Sequence, residues 1–189
     1  GLAFHPFQGR LKNALYIASE RYAARRCHKI IGVADAMRDQ ALAVGIGRPE
    51  QYVTVYSGME VEPYLEPQWS RADVRAELGL HEEDFVVGTI ARLAELKGHD
   101  DLLDGLHETM QRDPRLKLLW VGDGWWRERL LGRVAELGLE SQVVTTGLVP
   151  PEAIPKYHQA MDVVAHPSYR EGLPRVVTQA LLSALPVVA

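Results

Sequence analysis

Two cations five positions apart, Arg92 and Lys97, sit in a loop that follows the short apolar run Val86-Val87-Gly88-Thr89-Ile90. Arginine offers a planar fork of donors and lysine a compact point charge, and together they can clamp a diphosphate and stabilise the charge that develops as it departs. Much later in the chain, Glu171 stands beside a glycine turn, Gly172-Leu173-Pro174. A carboxylate in that setting can hold sugar hydroxyls. Pro174 suits the first position of a helix but donates no amide, so Gly172, Leu173 and Arg175 are the candidate backbone donors at that helix start. Arg92, Lys97 and Glu171 therefore point to a nucleotide-sugar site.

Glycines near these groups have a physical role of their own. Gly88, Gly122 and Gly124 let backbone approach a ligand and allow positive φ. Gly122-Asp123-Gly124 lacks the third glycine of a dinucleotide fingerprint, because position 127 is Arg. A tight strand-to-helix turn is the better reading, which argues against a nicotinamide oxidoreductase. The histidines show no metal-ligand spacing, and His99, after Lys97-Gly98, reads as a helix-start residue or, alternatively, as one near phosphate. Of the adjacent Trp125 and Trp126, at most one is expected to pack in the core.

Composition limits the classes. A net charge of −4 argues against broad nucleic-acid binding, and 47% hydrophobic with 24% charged residues is ordinary for an α/β protein. The single cysteine, Cys27, excludes an internal disulfide and a cysteine-cluster metal site, and fits a reducing compartment. No apolar run reaches the roughly 18 residues of a membrane span. The opening Gly1-Leu2-Ala3-Phe4-His5-Pro6 lacks the basic start and apolar core of a secretion signal, and reads as the middle of something longer.

The elements that must position the site alternate along the chain. Helices are expected over about 8–26 (apolar at Leu11, Leu15, Ala18 and Tyr22), 34–44, 98–111, 125–137, 151–159 and 174–184. Strands are expected at 29–33, 52–56, 85–90, 116–121, 142–146 and 161–166, with another starting at Pro186. The stretch Val61 to Ser70, with Pro63 and Pro67, reads as an interdomain linker. There is no internal repeat and no low-complexity segment. Alternating strands and helices imply a Rossmann-like parallel sheet flanked by helices, with ligands beyond the carboxyl ends of the strands. Four loops meet that edge: Arg92 to Lys97, Gly122 to Gly124, Gly147-Leu148, and Ser168 to Pro174.

An ordered set of signatures resembles family 4 glycosyltransferases, retaining enzymes of the GT-B fold. They are Ser57-Gly58-Met59-Glu60, Gly88 to Gly98, Val121-Gly122-Asp123-Gly124, Gly147, Pro167-Ser168, Glu171-Gly172-Leu173-Pro174 and Pro186-Val187-Val188-Ala189. The resemblance implies transfer of a sugar from a nucleoside-diphosphate sugar to an acceptor hydroxyl, with retention and without metal or other cofactor. Arg92, Lys97 and Glu171 would be the catalytic set. The donor would meet Gly88, Gly122, Gly124, the nucleobase-side loop at Leu148 (alternatively a plain turn before Pro150-Pro151), Gly172, Leu173, Arg175 and Gln179. Gln179 stands where the family usually carries a second Glu for the ribose hydroxyls, so a charge-assisted bond is lost there.

The resemblance also makes residues 1–60 the tail of an N-terminal acceptor-side domain, and 61–189 a C-terminal donor-binding domain incomplete at its end. The chain is expected to be a fragment that is inactive in transfer when isolated. The acceptor, whether glycan, lipid-linked sugar or small molecule, is not legible. The basic opening helix (Arg10, Lys12, Arg21, Arg25, Arg26, then Lys29, with Arg21, Arg25 and Lys29 on one stripe) admits peripheral contact with the inner face of a membrane or simply a solvated face, in a cytoplasmic protein. Two other readings stay open: a nucleotide-sugar epimerase of the same fold, and a non-catalytic nucleotide-sugar-binding fragment.

Overall fold

A computed structural model describes residues 2–189, which form two compact units. The smaller reaches to Met59 and takes in Glu171–Pro174; the larger comprises Glu60–Arg170 and Arg175–Ala189. In the smaller unit, α1 (Arg10–Ala24), β1 (Ile30–Gly32), α2 (Asp35–Ala43) and β2 (Tyr52–Thr54) follow one another, and β1 pairs in parallel with β2 from Ile30↔Tyr52 to Gly32↔Thr54. Ala24, Ala41 and Ile46 form its buried centre, with Ile30, Val44 and Tyr52 packed against them. The buried Gln51 side chain donates to the carbonyls of Ala24 (2.9 Å) and Cys27 (2.8 Å), satisfying acceptors at the end of α1.

The helix expected over about 8–26 is present as α1, with its apolar positions Leu11 and Leu15 87% and 67% exposed. One expectation for this region is corrected. Lys29 does not share a helical stripe with Arg21 and Arg25, because α1 ends at Ala24. Instead the Arg21 Nε donates to the Val44 carbonyl (2.7 Å), and the Lys29 Nζ to the Glu50 carbonyl (2.8 Å).

The larger unit is one open parallel sheet. Its elements are α3 (Glu62–Leu65), α4 (Arg71–Glu77), β3 (Phe85–Ile90), α5 (His99–Arg112), β4 (Leu116–Val121), α6 (Arg127–Glu136), β5 (Val143–Thr145), α7 (Ile154–His158), β6 (Val163–Ala165), α8 (Arg175–Leu182) and β7 (Val187–Val188). The strand order is β5-β4-β3-β6-β7. Side chains alternate across the sheet as the pleat requires. Leu118 and Trp120 of β4 join Leu103, Met110 and Leu130 in one core, while Leu119 and Val121 join Val86, Met161 and Val164 in the other. Both faces are buried, which is why β3 and β4 read as nearly continuous apolar runs. The order reverses between β3 and β6, the topological switch point at which such sheets take ligands.

The stretch expected as a linker contains α3, with Tyr64 buried, and ends at the cap of α4. Pro63 lies in the first turn of α3, where a missing amide costs nothing. The Ser70 Oγ accepts from the Asp73 amide (3.1 Å) and so starts α4. On α4, Arg75 is 2% exposed yet fully engaged. Its guanidinium donates to the carbonyls of Ala160 (3.1 Å), His81 (2.9 Å), Glu82 (2.8 Å) and Asp84 (2.9 Å) and to the Asp162 carboxylate (2.8 Å). That carboxylate also accepts from the Val86 amide (2.7 Å) and from Arg71. Arg75 and Asp162 thus close the end of the sheet at which β3 and β6 begin.

Candidate functional site

At the opposite end of the sheet, the loops after β3, β4, β5 and β6 are tied together mainly through backbone. The Leu93 amide donates to the Asp123 carbonyl (3.1 Å), and the Trp126 amide to the Leu93 carbonyl (3.1 Å), joining the first two loops. Gly122 and Gly147 form an antiparallel bridge that joins the second loop to the third. The Tyr169 amide donates to the Leu96 carbonyl (3.1 Å), as does the Ser168 hydroxyl (3.2 Å), joining the first loop to the fourth.

Three glycines make this approach possible. A Cβ on Gly98 would lie 2.0 Å from the Pro167 carbonyl oxygen, on Gly122 2.2 Å from that of Ala91, and on Gly124 2.3 Å from that of Leu93. Gly98 also has φ 68°, a left-handed turn that sets off α5. Gly88, by contrast, lies inside β3, where a Cβ would strike the Met161 sulfur at 2.0 Å. Core packing accounts for that glycine.

Arg92 and Lys97 occupy the loop beside the switch point. Lys97 Nζ lies 3.5 Å from the Ser168 hydroxyl, so the loop after β6 meets the loop after β3 at one of the two cations. The Arg92 guanidinium lies 5.4 Å from the centroid of the Trp125 ring, and no carboxylate among the described residues pairs with it. Trp125 is 70% exposed, whereas Trp126 packs against the core, as adjacent aromatics at a helix start must divide. Leu148 is 84% exposed, on the loop after β5. Arg175 opens α8 and is exposed, and Gln179 lies one turn further on, half-buried. Glu171, Gly172 and Leu173 are grouped with the smaller unit, Glu171 being exposed.

His99 opens α5, the better of its two sequence readings, and the structure adds its partner. It is buried, and its Nε2 lies 3.2 Å from the Arg92 carbonyl oxygen. Burial holds its imidazole below the ordinary histidine range. Among the described residues no group of three or more His, Cys, Asp or Glu side chains could hold a metal ion, and no helix is long and apolar enough to cross a membrane.

An open parallel sheet with its strand order reversing beneath a cationic, glycine-laced loop cluster defines a Rossmann-like class of α/β protein. Comparison with known families narrows this: the chain belongs to the family "Glycosyl transferases group 1", whose model matches residues 70–189. It is 36% identical over 123 residues to a D-inositol 3-phosphate glycosyltransferase of Segniliparus rotundus, covering 63% of this chain and 27% of that one. It is 32% identical over 181 residues to a 2-deoxystreptamine N-acetyl-D-glucosaminyltransferase of Streptomyces fradiae, covering 94% of this chain and 42% of that one. Among solved structures, the Anabaena protein HepE in complex with UDP and glucose superposes with a TM-score of 0.82 at 29% identity, covering 93% of this chain and 48% of that chain. The chain therefore spans less than half the length of each of these three proteins.

Proposed function

We propose that this chain is the donor-binding part of a retaining glycosyltransferase that takes a nucleoside-diphosphate sugar as its donor. The observation that carries the reading is the pair Arg92 and Lys97, on a braced loop at the switch point of the sheet. The relatives are named as transferases, which favours transfer over epimerisation.

In this reading residues 61–189 are the donor-side domain and 1–60 the tail of the acceptor-side domain. The acceptor hydroxyl attacks the anomeric carbon on the face the diphosphate leaves. A carbon–oxygen bond to the acceptor forms as the carbon–oxygen bond to phosphate breaks, and the hydroxyl proton passes to the departing phosphate. Arg92 and Lys97 stabilise the charge that grows on that phosphate, in place of a metal ion. Glu171 takes hydroxyls of the sugar, the amides at Gly172, Leu173 and Arg175 add donors, the loop at Leu148 meets the nucleobase, and Gln179 meets the ribose. Gly122 and Gly124 serve by letting the loops close rather than by touching the donor.

Calorimetric titration with UDP, GDP and ADP, each with and without magnesium, tests the donor site. Metal-independent binding of one nucleotide, weakened in Arg92→Ala and in Lys97→Ala, is the expected result; a folded protein that binds none of the three would overturn the reading. Because the chain spans under half the length of the three proteins compared with it, we expect it to bind donor without transferring sugar, and measurable transfer by the isolated chain would contradict this.

A cytoplasmic location with peripheral contact to an anionic membrane is the corresponding proposal for α1. Its support is the exposed pair Leu11 and Leu15 beside Arg10 and Lys12. Failure of anionic liposomes to retain the protein at low salt would remove it.

A further inference from the structure

We infer that His99 and Trp125 are positioning residues for Arg92, the first holding its backbone and the second its guanidinium. The inference rests on the reading of Arg92 as a diphosphate ligand. Arginine on an exposed loop has several free rotors, and immobilising them on binding costs conformational entropy. A loop and side chain already held before the ligand arrives avoid much of that cost.

His99 holds the loop from beneath. A carbonyl oxygen can only accept, so the Nε2 that faces the Arg92 carbonyl at 3.2 Å carries the proton. That leaves Nδ1 as a bare acceptor, buried and without a partner. The ring is 2% exposed and tilted 37° to the Trp120 ring, with centroids 5.4 Å apart. A leucine would pack there without leaving a buried nitrogen unpaired, so the imidazole is explained by its one bond to Arg92 rather than by the core. The residue before it, Gly98, is pinned under the Pro167 carbonyl, so a single turn sets both Lys97 and His99.

Trp125 holds the other end. Its backbone is fixed on one side by Gly124, which touches the Leu93 carbonyl, and on the other by the bond from the Trp126 amide to that same carbonyl. Its ring, 70% exposed, contributes little to the core and meets the Arg92 guanidinium at 5.4 Å. An exposed indole so placed restricts the guanidinium by a cation–π contact.

The test is titration with UDP, GDP and ADP of the wild type, His99→Leu, His99→Gln, Trp125→Ala, Arg92→Ala and the doubles carrying Arg92→Ala, with thermal melts of each. For whichever nucleotide binds, His99→Leu should weaken affinity about fivefold, and His99→Gln, whose amide can still donate to the carbonyl, should recover most of the loss. Trp125→Ala should weaken it about threefold with an unchanged melt, since the ring is exposed. In the Arg92→Ala background neither second change should matter further. Losses that persist undiminished in that background would show direct ligand contact or general disruption and would overturn the inference, as would unchanged affinity in the folded Trp125→Ala protein. If the folded wild type binds none of the nucleotides, the reading of the site itself fails; if it binds one, and binds it more weakly in Arg92→Ala, while both single variants bind normally, only the positioning role fails.

Discussion

The two ends of the five-stranded sheet treat an arginine in opposite ways. Where β3 and β6 begin, Arg75 is buried and spends its donors on four carbonyls and the Asp162 carboxylate. Where β3 ends, Arg92 is exposed, faces only an aromatic ring and has no carboxylate partner among the described residues. A buried guanidinium survives only when its hydrogen bonds are complete, so Arg75 belongs to the architecture. An unpaired exposed guanidinium held over a cluster of glycine turns is available to an anion. The same residue type is thus a rivet at one end and, in the function proposed above, a receptor at the other, and only the surroundings tell them apart.

The largest expected effect tests the rivet. Arg75→Met should lower unfolding free energy by about 3–5 kcal/mol, because it leaves four carbonyls without their donor and takes from Asp162 one of its two guanidinium partners. A urea titration whose extrapolated loss of free energy is less than a third of this would place Arg75 with ordinary surface charges.

Next in size is a pH effect at His158, also buried within the larger unit. Burial depresses its pKa from 6.5 to about 4. The unfolded chain therefore binds a proton that the folded chain refuses between those values. Its contribution is fully present above pH 6.5 and is lost as pH falls toward 4, roughly 3 kcal/mol in all. Denaturant midpoints measured across that window should flatten in His158→Phe, and an unchanged slope would remove His158 as the cause.

At the receptor end, Arg92→Ala should cost about 2 kcal/mol of nucleotide affinity while leaving the thermal midpoint near that of the wild type. A matching loss of stability would erase the contrast with Arg75. The smallest change sharpens it: Gln179→Glu should tighten nucleotide binding by under about 1 kcal/mol through one charge-assisted bond to ribose. Unchanged affinity would say that position 179 does not touch the sugar.

Much of this could be seen in the residues alone, because parallel strands buried on both faces are apolar throughout, as Val86-Val87 and Leu118-Leu119-Trp120 are. Arg92 and Lys97 were visible for the same local reason, being a charged loop directly after such a strand. The helix inside the stretch around Pro63 was not legible, since a proline that reads as a breaker also suits the first turn of α3. Arg75 gave no sign of its importance: its anchoring partners Ala160 and Asp162 lie more than eighty positions away, and only the fold brings them beneath α4. The bond from His99 to the Arg92 carbonyl was hidden differently, because a side chain that binds backbone leaves no partner type to search for. The exposure of Leu11 and Leu15 was equally illegible, since periodicity locates a helix face but not what covers it.

The bonds joining the four loops have one more consequence. Most are formed by main-chain atoms or depend on glycines, so their geometry is largely indifferent to which side chain stands at the exposed position Leu148. That position can therefore drift under mutation without disturbing the frame. A scaffold of this kind lets ligand preference diversify by single substitutions, while the cationic loop beside it stays in place.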